Sequence, residues 1–251
     1  MVYTKIVLVL LLIVLIGCSD SSNPTDSSGK TNSNLAGYPV PDISGTDING
    51  VLTTIQVEIA NPIPGFPGIT TNIGFAYFGN GENAGKVSVN ANEVPLTNQG
   101  GTNMYMLPSP SNPLAMLTNV YFNGSSHTWA VSGGGSVASF TGSVSSPVTF
   151  NMIAPVAGTT VSKSQALQVT WGSGTSSKVL IQIVSTGSNN AKVYPEQSDN
   201  GSFTIPAADL SSFSGDCMVY IVKYNYNIIS ANSKNYALIS EIVKSHTIKV
   251  N

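Results

Sequence analysis

From about residue 37 onward, apolar and polar residues alternate with period two in short runs. Ile55, Val57 and Ile59 alternate with Gln56 and Glu58; Ile73, Phe75 and Tyr77 follow, then Val87 and Val89, and later Trp129 and Val131. A period of two puts every second side chain on one face of an extended strand. Each run is bounded by turn-forming residues, such as Asn61-Pro62-Ile63-Pro64-Gly65, Gly79-Asn80-Gly81 and Asn98-Gln99-Gly100-Gly101. Short strands cut repeatedly by such turns predict an antiparallel sandwich or barrel. No stretch keeps a helical period for three turns, and a single helical turn is expected around residues 207–213.

A second unit begins near residues 147–155. Leu167, Val169 and Trp171 form one alternating strand, and Val179, Ile181 and Ile183 the next, joined through Gly172-Ser173-Gly174. Further strands are expected at 192–195, 202–205, 217–226 and 237–250. Asp199-Asn200-Gly201 is expected to make a hairpin turn between two of them, since Asn and Gly tolerate positive φ. About 100 residues in six or seven strands is the size of an immunoglobulin-like sandwich. The chain therefore reads as all-β, with two tandem antiparallel β-sandwich domains at 37–147 and 148–251, the second immunoglobulin-like.

The first 36 residues follow other rules. Residues 6–16 are an unbroken apolar run after Lys5, closed by Leu15-Ile16-Gly17-Cys18. A spanning helix needs about 20 apolar residues, so this run is too short for one. It has the pattern of a bacterial lipoprotein signal peptide: residues 1–17 would be removed by a cut between Gly17 and Cys18, whose thiol would carry the lipid. The partner implied is a membrane, held through acyl chains on Cys18. Residues 18–36 are almost wholly small and polar and bury too little apolar area to offset their ordering entropy, so they read as a disordered tether. About seventeen such residues reach on the order of 20 to 25 Å. Inner-membrane retention in Gram-negative lipoproteins is usually signalled by Asp after the cysteine. Ser19 stands there, so an outer-membrane location is expected, on its periplasmic or cell-surface face.

Charge narrows the partners. Charged residues are only 9% of the chain, and arginine is absent. Without Lys5 the ten lysines become nine against twelve acidic residues, 9 − 12 = −3. No basic patch suits nucleic acid, which is excluded as a partner. With Cys18 lipidated, Cys217 has no partner for a disulfide. It sits in Cys217-Met218-Val219-Tyr220-Ile221-Val222, where a cysteine acts as a small buried hydrophobe.

Several segments carry a family resemblance. Ala154-Pro155, Gly158-Thr159, Val161-Ser162, Leu167, Val169-Thr170-Trp171 and the stretch from Asp199-Asn200-Gly201 through Asp209-Leu210 resemble the C-terminal immunoglobulin-like or fibronectin-III-like module of Bacteroidetes-type surface lipoproteins. The stretch from Ala84-Gly85-Lys86 through His127-Thr128-Trp129 to Gly133 resembles the N-terminal module that accompanies it. The resemblance implies the fold and a surface address, and no reaction.

The catalytic inventory is thin. His127 is expected to begin a strand, and His246, amid Lys244, Thr247 and Lys249, to point to solvent. Neither lies in a nucleophile-elbow or zinc context. Glu58, Glu82, Glu93, Glu196, Asp209, Asp216 and Glu241 are scattered singly, where a glycosidase needs two carboxylates some 5 to 10 Å apart. Glu82 alone is too few ligands for calcium. No cofactor, metal site or enzymatic activity is expected. Tyr220, Tyr224 and Tyr226 recur at even spacing and share one strand face, with Lys223, Asn225 and Asn227 on the other. Tyr224 and Tyr226 are the candidate ligand-binding residues, as a sugar-stacking platform, although an aromatic stripe continuing an apolar strand fits a core better. Trp129 and Trp171 read as core anchors. Two function classes remain: a noncatalytic structural, adhesion or protein-interaction module of the cell envelope, or a surface carbohydrate-binding component of polysaccharide capture.

Overall fold

The computed structural model describes residues 47–59, 69–173, 177–188 and 190–251. The motif at 15–18, the tether, the turn at 61–65 and Gly174 lie outside them. The first half supplies β1 (Ile48–Ile59), β2 (Ile69–Phe78), β3 (Val87–Val89), β4 (Asn92–Val94), β5 (Leu96–Gln99), β6 (Thr102–Leu107), β7 (Ser126–Val131) and β8 (Phe140–Ser145). Then come β9 (Met152–Ala154), β10 (Thr160–Val161), β11 (Leu167–Trp171), β12 (Lys178–Ser185), β13 (Ala191–Val193), β14 (Gln197–Ser198) and β15 (Ser202–Ile205). A one-turn helix, α1 (Ala207–Leu210), precedes two long strands, β16 (Gly215–Ala231) and β17 (Lys234–Val250). The described chain is nearly all β, as expected.

The two long strands set the architecture. Each has 17 residues, or roughly 56 Å at about 3.3 Å per residue. They pair antiparallel along their whole length. Their turn is the two-residue step Asn232-Ser233, with both φ values positive at 49° and 61°, the backbone that matches strand twist. The same device closes β3–β4 at Asn90-Ala91 and β5–β6 at Gly100-Gly101.

Around this hairpin runs one large sheet in the order β13-β12-β16-β17-β1-β2-β6-β5, with β10 and β14 beside β17 and β12. The joint between β17 and β1 is parallel, as is that between β10 and β17; the other pairings are antiparallel. Two small sheets complete the fold: β4-β3-β7-β8 from the first half and β15-β11-β9 from the second. The boundary expected near residue 147 falls between the small sheets, and the large sheet runs across it.

One face of the large sheet forms a continuous core with both small sheets. Leu52, Phe78 and Leu238 share it with Trp129 and Val131, and Ile181, Val219 and Ile248 share it with Val169 and Trp171. The other face carries a second apolar cluster of Ile55, Val57, Ile73, Leu180, Val222, Tyr224 and Val243. Both faces of the central strands are thus apolar and buried, which is why the period-two pattern fades in residues 236–243.

Asp199-Asn200-Gly201 departs from its expected role. β14 pairs with β12 in the large sheet, whereas β15 pairs with β11 in a small one. The turn is therefore a corner between sheets rather than a hairpin, with Gly201 at φ 86°. At this corner the Asp199 side chain bonds to both sheets, to Trp171 of β11 and to Lys223 of β16.

Candidate functional site

Polar groups inside the large sheet are the places where chemistry or recognition could reside. The even-spaced tyrosines of β16 do share one face, that of the second cluster. Tyr224 is fully buried in it, while Tyr220 and Tyr226 pack at its margin. The Tyr224 and Tyr226 rings lie 26° from parallel with centroids 6.4 Å apart. Tyr224 donates its hydroxyl to Glu196 Oε2. Lys178 Nζ bonds Glu196 Oε1 at 2.8 Å and stands 5.0 Å from the Tyr226 centroid. Its hydrogen bond to Glu196 is the main reason the Lys178 pKa is raised. Glu196 thus ties strand β12 to β16 through both oxygens. Tyr224 has no exposed ring face to offer a sugar, and Tyr226 keeps only part of one.

Glu241, across the β16/β17 ladder from Tyr224 and across the β1/β17 ladder from Ile55, is fully buried on this same face. Neither carboxyl oxygen has a hydrogen-bond partner among the described residues. A carboxylate so placed would bear its full desolvation cost, so burial pushes the pKa up to about 8 and the group is mainly protonated at neutral pH. In the sequence Glu241 is one of several scattered carboxylates. Its only signal there is a charge in the middle of a long apolar strand.

The opposite face of β16 holds a buried ion pair. Lys223 and Asp199 are each 1% exposed in their side chains and meet at 2.7 Å. Lys223 Nζ also donates to the Gly172 carbonyl at 2.7 Å and lies 4.6 Å from the Phe150 centroid. Asp199 Oδ1 accepts the Trp171 indole N–H at 2.7 Å. Strand periodicity places Lys223 opposite the tyrosines, correctly, but gives it no partner. Asp199 reads in sequence only as a turn residue, because its partners come from strands far away along the chain. Trp171 is a core anchor, as expected, and also a hydrogen-bond donor.

His127 begins β7 as expected and is fully buried. Its Nε2 faces the Tyr121 carbonyl at 3.0 Å and must donate to it. Nδ1 is then the acceptor for the hydroxyls of Thr54 at 2.7 Å and Ser240 at 3.2 Å. Burial lowers its pKa, so the ring stays neutral. The imidazole joins a small sheet to the large one, and all its capacity is used. His246 is not directed to solvent: it is half-buried, with Nδ1 2.7 Å from the Pro155 carbonyl, because that loop folds back onto β17. Cys217 is buried, and burial followed by the nearby Asp216 raises its pKa, so the thiol resists ionising. Among the described residues no group of three His, Cys, Asp or Glu side chains could hold a metal ion.

The sequence matches no protein-family model and no curated protein. Solved structures that match include DIP-gamma IG1+IG2, at 10% identity and a TM-score of 0.23, covering 82% of this chain and 99% of that one. The FN1–FN3 domains of chicken CNTN1 match at 7% identity and a TM-score of 0.25, covering 79% and 66%. A tetra-tandem repeat from the extending region of a large adhesion protein matches at 14% identity and a TM-score of 0.21, covering 78% and 49%.

Proposed function

We propose that this chain is a lipid-anchored, noncatalytic module of the bacterial cell envelope, held at the outer membrane through Cys18 and presenting a rigid β surface for interaction with other proteins. The observation that carries the noncatalytic reading is how the reactive groups are used. His127 spends both ring nitrogens on internal bonds, Asp199 and Lys223 neutralise one another in the core, and Cys217 is buried. Groups so engaged hold sheets together and have no proton, lone pair or thiolate to offer a substrate. The address is supported by the residues that precede the fold, Leu15-Ile16-Gly17-Cys18 and the polar stretch after them.

Replacing Cys18 by Ser tests the anchor, since serine lacks the thiol that accepts lipid. Labelling of cells with a palmitate analogue is expected to mark the wild-type chain and leave Cys18→Ser unmarked. Label retained on the variant would remove the anchor from this reading.

A further inference from the structure

Among the described residues, the second apolar cluster is drawn from β1, β2, β12, β16 and β17 alone, all strands of the large sheet, whereas both small sheets pack on the other face. The cluster is nevertheless buried. In its central row, Ile73, Ile55, Glu241 and Tyr224, no residue is more than 8% exposed. Thr53 stands one row away on the same face, since its neighbour Thr54 turns the other way, to His127. The Thr53 hydroxyl and both Glu241 oxygens are buried without a hydrogen-bond partner among the described residues. The hydroxyl and the mainly protonated carboxyl each have a proton to donate. An apolar face of this kind calls for a cover that brings hydrogen-bond acceptors.

The residues that lead into β1 are placed to supply it. β1 is paired along both edges, with β17 and with β2, so the chain entering it cannot add a strand beside it, and one face is already taken by the small sheets. Residues 37–46 lie outside the described residues. Their sequence breaks with the polar stretch before it: apolar Tyr38, Val40 and Ile43 alternate with Pro39, Pro41 and Asp42, and Ser44-Gly45 is a turn signal just ahead of β1. Prolines have no N–H to give a ladder, yet the carbonyls around them still accept. Extended proline-containing segments also dock face-on against aromatic-lined surfaces. The lengths agree. Val40 is seven residues before Asp47 and Ile55 seven after Ile48, paths of about 22 Å and about 23 Å at roughly 3.1 and 3.3 Å per residue.

We propose that residues 37–43 turn back at Ser44-Gly45 and lie across the second face, with Val40 over Ile55 and backbone carbonyls accepting from Glu241 and Thr53. Continuity with β1 gives this segment a local concentration that a separate partner does not match. The inference goes beyond the interaction reading and stands without it. For a chain anchored through Cys18 it also sets the orientation: the tether ends at residue 36 and holds the folded body near Val57 and Val243, which are ladder partners part-way along the long hairpin, and leaves the Asn232-Ser233 turn free to face outward.

The test uses the full chain in its membrane, with the wild type as the blank for Cys18 and the buried Cys217. Val40→Cys is expected to react with a bulky maleimide about tenfold more slowly than Lys30→Cys in the polar stretch, and equally fast once urea unfolds both. Val40→Cys with Ile73→Cys, the ladder partner of Ile55, is expected to close a disulfide within one chain on oxidation, and Val40→Cys with the exposed Ser188→Cys to remain open. Equal reactivity at 30 and 40 in the folded chain, or no link to position 73, overturns the fold-back. A link of dimer mass puts the segment of another copy on this face and overturns it as well. If Cys217 becomes reactive, Ile73→Cys has opened the fold, and Tyr226→Cys at the margin of the same face takes its place with a short bismaleimide: an intrachain link supports the docking, and its absence overturns it. These readouts need no partner protein, so their failure leaves the interaction reading standing.

Discussion

Replacing Glu241 by Gln should change how stability depends on pH. The wild-type carboxyl is buried without a partner among the described residues and has a folded pKa of about 8, against 4.5 when exposed. Since the folded value is the higher, the unfolded chain releases this proton first. The contribution of the neutral form is complete below about pH 4.5, is lost steadily as pH rises from there to about 8, and levels off above. One pKa unit is about 1.36 kcal/mol, so the interval of 8 − 4.5 = 3.5 corresponds to about 5 kcal/mol, of which about 3 is already lost at pH 7. Gln has nearly the same shape and cannot ionise. Urea denaturation of both proteins at about pH 5, 6, 7 and 8 measures the difference, and groups common to both, such as His127, cancel in it. The wild type should lose about 1.4 kcal/mol per pH unit relative to Glu241→Gln through most of that range, with the slope easing near its upper end. A difference that does not change with pH would mean that the carboxylate is neutralised or solvated in the fold and would refute this account of the second face.

Lys223→Met should destabilise the protein by about 3 to 5 kcal/mol in denaturant unfolding, because it removes the lysine counter-charge that the buried Asp199 carboxylate faces at 2.7 Å; Lys223→Met combined with Asp199→Asn should recover much of that loss. Trp171→Ala should cost about 3 to 5 kcal/mol, since it empties core volume and also removes the N–H that Asp199 accepts; a loss under about 1 kcal/mol would place the indole outside the core. Tyr224→Ala with Tyr226→Ala should lower the melting temperature and reveal no polysaccharide that the wild type binds and the variant does not. An unchanged melting temperature together with lost retardation in a polysaccharide affinity gel would restore the sugar platform.

The strands that face one core are legible in the sequence. Val87-Ser88-Val89, Leu167 to Trp171 and Val179 to Ile183 alternate because one side of each meets the interior, and that alternation is a local property. The lone Cys217, the helical turn near Ala207 and the Gly100-Gly101 turn are legible for the same reason, since each depends on side-chain chemistry or backbone freedom within a few residues. Strand partners are not, because hydrogen bonding between backbones carries no residue code. Nothing in Ile48–Ile59 says that it will lie parallel to Lys234–Val250. The reach of the long hairpin is hidden as well, since residues 227–236 carry weak alternation and are ordered by contacts with the first half. The buried polar groups depend on the tertiary structure most of all. Asp199 and Lys223 are 24 residues apart, and His127 lies 73 residues from Thr54 and 113 from Ser240. A charge in an apolar strand looks the same in sequence whether it reaches water, finds a partner or is buried alone. Only the folding of distant strands onto both faces of one sheet gave Lys223 its carboxylate and left Glu241, among the described residues, without a partner.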